Sequence, residues 1–221
     1  MDYSFLQCGE GALTVHLGDG IDPAINRRVT ALQGAIGSAG LRGITDLIPA
    51  YADLTVCYDC TVISAKALQR QLRRLLDSLS VAGQDRRRVF QLPVCYGGDY
   101  GPDLDFVCHH SGLSAQEVIE LHSAPDYLIY MLGFLPGFAY LGGLDPRLHT
   151  PRLDSPRTCI PAGSVGIGGA QTGVYPLASP GGWQLLGRTP VSVFDRQRQE
   201  PILYRAGDLV HFVPISPAEY E

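Results

Sequence analysis

Lysine is nearly missing from this sequence: Lys66 is the only one in 221 residues, against sixteen arginines. A Schiff base or a lysine on phosphate would therefore fall to one residue, which lies in a helical pattern far from the motif-bearing part, and no G-x-x-x-x-G-K-[ST] loop occurs. Long apolar runs are also lacking. Nowhere do roughly eighteen apolar residues follow one another, and Met1 to Glu10 hold no basic stretch ahead of an apolar one. Neither a membrane span nor a signal peptide is expected, and a cytoplasmic location is. The net charge is only -5, and the basic residues form no stripe, so nucleic acid is not an expected partner. Metal-ligand spacing is sparse as well. Cys57-x-x-Cys60 has no second pair, and along a strand residues three apart point to opposite faces. His109-His110 has no acidic or cysteine partner at ligand spacing. No metal is expected on this chain alone, and the six cysteines read as free thiols.

Forty-five per cent of the residues are hydrophobic, which suffices for one large domain or two small ones, each with a core that needs no covalent staples. Over residues 1–85 strands and helices alternate. Asp22 and Pro23 suit a helix start, Ile25, Val29, Leu32 and Ile36 make one apolar stripe, and Gly37 and Gly40 can end it. Leu68, Leu72, Leu75, Leu76 and Leu79 oppose Arg70, Arg73, Arg74 and Asp77 on a second amphipathic helix. Residues 44–48 and 52–59 read as strands, the latter alternating Leu54, Val56 and Tyr58. The predicted order, strand, helix, strand, strand, helix, strand, is that of a ferredoxin-like α/β domain. Residues 83–88 are a polar break. Over residues 86–221 Phe90, Leu92 and Val94 alternate as a strand, and Ser114 with Glu117 signals a capped helix. From Leu128 the apolar runs are short and separated by glycine and proline, ending with Ile202 to Tyr204 and Leu209 to Val213. That spacing predicts a β-barrel or sandwich, and the whole an α+β protein.

Residues 133–190 hold twelve glycines and eight prolines, with Asp145, Arg147, Arg152, Asp154, Arg157 and Arg188 as their only charged residues. The run Pro161-Ala-Gly-Ser-Val-Gly-Ile-Gly-Gly-Ala-Gln-Thr-Gly-Val-Tyr-Pro has two readings. Small residues let an anion approach main-chain N–H groups, or they serve the turns of a barrel. Four arginines without a lysine suit planar, bidentate anion recognition. Ala162-Gly-Ser164-Val-Gly166 lacks the first glycine of a nucleophile elbow, and Gly166-Ile-Gly168 lacks the third glycine of a dinucleotide site. His122 and His211 are acid–base groups by type only.

Six blocks in fixed order then carry a resemblance. They are Gly133-Phe-Leu-Pro-Gly-Phe-Ala-Tyr-Leu-Gly-Gly-Leu, Pro151-Arg152, Pro156-Arg157, Pro161-Ala-Gly-Ser-Val-Gly-Ile, Gln171-Thr-Gly-Val-Tyr-Pro and Ser179-Pro-Gly-Gly-Trp-Gln-Leu-Leu-Gly-Arg-Thr-Pro. With Tyr96-Gly-Gly-Asp-Tyr-Gly-Pro-Asp-Leu and Glu120-Leu-His-Ser-Ala, they closely resemble the allophanate hydrolase subunit 1 family. Its members include the B-type subunit of 5-oxoprolinase, the Kip inhibitor of a sporulation histidine kinase and a region of urea carboxylase. The resemblance implies a small α/β domain followed by a cyclophilin-like β-barrel. It also implies work with 5-oxoprolinase subunits A and C to open 5-oxoproline to glutamate at the expense of ATP. A lactam carbonyl becomes electrophilic once its oxygen is phosphorylated, and positioning plus charge stabilisation suffice for that transfer. On residue chemistry and motif membership, Arg188, Arg157 and Asp145 are the catalytic candidates. Arg147, Gln171 and Thr172 are the substrate-binding ones. ATP and Mg²⁺ are the implied cofactors, on this chain or at its interface with the C-type partner. The same blocks leave open a kinase-inhibiting binding protein and a subunit of a urea or amide carboxylase.

Overall fold

Two leucine- and valine-lined helices and one alternating strand build the N-terminal core. The computed structural model describes residues 3–79 and 87–221. It divides into two compact units, Met1–Arg86 and Arg87–Glu221. In the first, strands β1 (Ser4–Gln7) and β2 (Ala12–His16) precede helix α1 (Pro23–Ala39). Strands β3 (Ile44–Pro49) and β4 (Asp53–Tyr58) then lead to helix α2 (Ala65–Asp77). The Asp22 side chain accepts from the Ala24 amide to start α1, and Gly40, in the left-handed conformation, ends it. Val29, Leu32 and Ile36 of α1, Leu68, Leu72 and Leu76 of α2, and Leu54, Val56 and Tyr58 of β4 are buried together.

The sheet is antiparallel throughout, in the order β1-β2-β4-β3. Its element order differs from the one expected. Two strands precede α1, and the strand after α2 belongs to the second unit. The edge position beside β2 is filled by β1 instead. Only Phe5 of β1 is even half-buried, so its sequence carries no alternation by which to read it. Most of the polar break at 83–88, and the expected boundary between residues 85 and 86, lie outside the described residues.

The second unit is organised by a closed barrel. Its elements are β5 (Val89–Tyr96), α3 (Leu104–Ser111), α4 (Ala115–Ser123), β6 (Asp126–Leu132), β7 (Ala139–Gly142), a 3₁₀ turn (Pro146–Leu148), β8 (Arg157–Ile160), β9 (Ser164–Gly168), β10 (Gln171–Val174), β11 (Ser179–Gly181), β12 (Gln184–Arg188), β13 (Leu209–Ile215) and α5 (Pro217–Tyr220). The barrel order is β10-β7-β6-β13-β5-β12-β9, closed by β9 pairing with β10. Strands β8 and β11 form a separate two-stranded ribbon. Closure leaves the barrel no free edge, and Leu92, Val94, Ile129, Leu141, Ile167 and Phe212 fill its interior. Ser114 and Glu117 form the expected capping box of α4. The expected strand at Ile202 to Tyr204 is reduced to a single bridge between Ile202 and Phe194. There Tyr204 is held by its side chain, its hydroxyl donating to the Gly137 carbonyl at 2.9 Å. Among the described residues no helix is long and apolar enough to cross a membrane.

Candidate functional site

A fully ordered polar chain runs through the barrel interior. The Thr172 hydroxyl donates to the Gly166 carbonyl (3.1 Å), so towards His122 it can only accept, from Nε2–H at 2.7 Å. That places the His122 proton on Nε2 and leaves Nδ1 bare to accept from the Tyr96 hydroxyl at 2.8 Å. The ring lies nearly parallel to Phe212, with centroids 4.8 Å apart, and has no exposed surface. Burial pushes the His122 pKa down to about 3, so the ring stays neutral, and it lifts the Tyr96 phenol well above its usual value. Thr172, expected to orient a substrate, is thus enclosed, with its hydroxyl committed to the barrel. Its neighbour Gln171, opposite Gly168 at the start of β10, projects to the other face.

The arginines divide by what answers their charge. Arg157 meets Asp103 at 2.6 Å, while the other Asp103 oxygen accepts from the Leu185 amide at 2.7 Å. This pair ties β8, β12 and the start of α3 together. Arg147 folds back on Asp145 through two bonds of 3.0 and 2.7 Å, and the guanidinium holds that carboxyl down at about 2. Arg88 pairs with Asp208 and Arg205 with Glu200. In the barrel unit two further arginines stand over aromatic rings without an ion pair to an acid among the described residues. Arg188, last in β12, has its guanidinium carbon 5.8 Å from the Tyr100 ring centroid. Its Nε and the Oγ of its register partner Ser164 are buried without a protein hydrogen bond. Arg152 stands 5.8 Å over the Trp183 ring. The six expected site residues are therefore spread over the Asp145–Arg147 pair, the Arg157 tie, the Arg188–Tyr100 stack and the two faces of β10.

What the family motifs do converge on is a pocket of about 310 Å³ outside the barrel wall, with Phe134, Phe138, Tyr140, Tyr175 and Trp183 as its aromatic lining and Arg152 beside them. The glycines of β9 and β10 explain its floor. A Cβ on Gly168 would come within 2.4 Å of Trp183 Nε1, and one on Gly173 within 3.1 Å of the same indole. Their bareness lets Trp183 lie against the strands. Because β9 and β10 are paired, this part of the glycine run serves packing, and the barrel reading holds over the main-chain anion cradle. Phe138 meets Tyr140, Tyr175 and Trp183 edge-on at 5.0 to 5.5 Å. At the rim, Phe134 is the only non-glycine with positive φ among the described residues, at 63°, and it is 64% exposed. Burial raises the Tyr175 phenol, and the charge of Arg152 opposes that rise.

Trp183, Phe134 and Asp103 carry no role in the sequence reading, and Arg152 enters it only as one of four arginines suited to anions. Asp145 stands two residues before Arg147, a spacing that already suggests a local pair. Arg152 has Asp154 at the same spacing, yet no ion pair between them forms among the described residues, so the sequence alone could not have told the two arginines apart.

An α+β chain with a closed barrel, its motifs gathered on one aromatic pocket, defines the class. The family described as carboxyltransferase domain, subdomain C and D, matches residues 3–204, and the chain belongs to it. Within that class, the B-type subunit of 5-oxoprolinase from Bacillus subtilis (strain 168) is 42% identical over 99% of this chain and 95% of its own length. The protein of the same name from Escherichia coli O157:H7 is 46% identical over 93% of each chain. The crystal structure of TTHA0988 superposes with a TM-score of 0.81 at 41% identity over 93% of this chain, which spans 40% of that longer one.

Proposed function

We propose that this chain is the B-type subunit of an ATP-dependent 5-oxoprolinase, inactive alone and completed by subunits of types A and C. The observation that carries the reading is the near full-length match to two proteins of that name at 42% and 46% identity. It is supported by TTHA0988, where a region like this chain is covalently continuous with further polypeptide. The protein works in the cytoplasm. Its N-terminal unit is a ferredoxin-like sandwich whose last strand position is taken by β1, and its barrel is cyclophilin-like.

The residues present do not fit a Mg²⁺–nucleotide site. The one carboxylate among the expected site residues, Asp145, has both oxygens on Arg147, and no group of three His, Cys, Asp or Glu residues is placed to hold a metal among the described residues. ATP and Mg²⁺ accordingly belong to a partner or to a surface shared with one. Arg188, with an unbonded Nε and no acid partner among the described residues, is the anion contact this chain brings to that surface. Gln171 and the Asp145–Arg147 pair lie in the same charge-poor segment. Arg157 and Thr172 hold the frame.

The test is reconstitution with the A- and C-type subunits, following glutamate and ADP from 5-oxoproline and ATP. ATP-dependent glutamate release only when all three chains are present is the expected result. Release by this chain alone, or none by the full set, overturns the reading. The family description favours one other reaction, carboxyl transfer. Product formation that requires bicarbonate and a biotin carrier in place of the A-type subunit would establish it.

A further inference from the structure

We infer that the aromatic pocket of the barrel unit binds a compact ring bearing one carboxylate, the ring against Trp183 and Phe138 and the carboxylate on Arg152. The choice of 5-oxoproline as the natural occupant rests on the proposed function; the ring-carboxylate class does not. Three observations carry it. First, at about 310 Å³ the pocket is at the small end of ligand sites, and its walls are flat aromatic faces, which suits a single ring. Second, the cation is available. Arg152 is exposed, has no acid partner among the described residues, and rests over Trp183 at 5.8 Å, so a carboxylate can take two of its N–H groups while the stack on the indole persists. Third, no aspartate or glutamate lines the pocket. A charged ammonium would find no carboxylate there and would be repelled by the Arg152 guanidinium, whereas a lactam nitrogen is neutral. The site should therefore prefer 5-oxoproline to proline, which has the same ring and carboxylate. Phe134 points the same way. A bulky residue held in the left-handed region and left exposed at a pocket rim is strain of the kind that persists at ligand clamps.

Trp183 is the only tryptophan in the chain, so its fluorescence reports on the pocket directly. The full chain is titrated with 5-oxoproline, proline and 2-pyrrolidinone, with saturation-transfer NMR as a second readout. The expected result is saturable binding of 5-oxoproline and binding at least about tenfold weaker for proline and for 2-pyrrolidinone, which lacks the carboxylate. Arg152→Ala should weaken 5-oxoproline by about tenfold or more, the loss typical of a charge-assisted contact, with an unchanged melting temperature. No saturable signal from 5-oxoproline in either readout, equal affinity for 2-pyrrolidinone, or equal affinity of R152A overturns the inference. Kinetics of the reconstituted complex separate the two readings. Turnover with the same KM for 5-oxoproline in wild type and R152A removes the pocket assignment and leaves the subunit reading intact. Arg152-dependent ring binding in a complex that never turns over 5-oxoproline removes the subunit reading and upholds the pocket.

Discussion

The inside of the barrel and the pocket on its outer wall belong to one unit, yet they treat polar groups in opposite ways. Inside, Tyr96, His122, Thr172 and the Gly166 carbonyl form a chain in which each donor has one acceptor. Outside, Trp183 and Phe138 enclose a space beside which Arg152 stands with no acid to answer it among the described residues. A satisfied buried network specifies a single arrangement and costs dearly when one member is removed. An unanswered charge over an aromatic face holds little of the fold together and is free for a ligand. The contrast separates residues that build the barrel from residues that can act.

The sharpest break in that contrast is His122→Ala. It opens a cavity beside Phe212 and leaves the Tyr96 hydroxyl without its acceptor, so a loss of about 3 kcal/mol or more is expected. Arg152→Ala should stay within about half a kcal/mol, as an exposed side chain does. Denaturant unfolding of both variants checks the pair; similar values would erase the distinction.

Arg188→Lys comes next. Lysine keeps the charge and removes the planar fork, so a bidentate anion contact at this end of β12 should lose about 1 to 3 kcal/mol in the kcat/KM of the reconstituted complex. The stability of the single chain should move by no more than about half a kcal/mol. Equal losses of activity and stability would move Arg188 to the builders, alongside Arg157.

The pH dependence sharpens the comparison from the interior side. In the unfolded chain His122 takes up its proton near pH 6.5, whereas in the folded barrel it does so only near about 3. Between those values the unfolded state binds one proton more. Stability on this account is full above about pH 6.5 and falls as the solution is acidified, by roughly 1.4 kcal/mol per pH unit. Melting curves of the wild type and His122→Phe from pH 7 to 4 test it. The phenylalanine variant should lose this component of the acid slope, although it is less stable at neutral pH.

These outcomes bear on what could be read from residues alone. Periodicity in one element is a local property. The α1 stripe at Val29, Leu32 and Ile36, the α2 leucines and the Ser114–Glu117 box were therefore all legible. Strand β1 was not, because an edge strand with only Phe5 half-buried has no buried face to imprint a pattern. The family blocks mark one segment but not how its residues divide between barrel and pocket. Thr172 and Gln171 are adjacent in one motif and face opposite sides of a barrel wall, a difference that requires the register of β10 against β9. Arg157 and Arg152 stand in matching Pro-Arg pairs. What separates them is Asp103, distant in sequence and brought beside Arg157 only by the fold.

The smallest expected effect concerns strain at the rim. Phe134 sits at φ 63°, where an L side chain costs about 1 to 2 kcal/mol relative to its ordinary conformations. Glycine is at ease there. Comparing Phe134→Gly with Phe134→Ala isolates this term, since both variants lose the ring and its edge-on contact with Phe138. Glycine carries an entropic penalty of about 0.5 to 1 kcal/mol in the unfolded chain, so the net advantage of glycine over alanine should be about 0.5 to 1 kcal/mol. Thermal melts of the two variants measure it, and an alanine variant at least as stable as the glycine one would show that no strain is stored at this position. Both should bind 5-oxoproline more weakly than the wild type. A glycine variant that folds as well as the wild type yet has lost affinity would place Phe134 with Arg152, among the residues the barrel carries without needing them to stand.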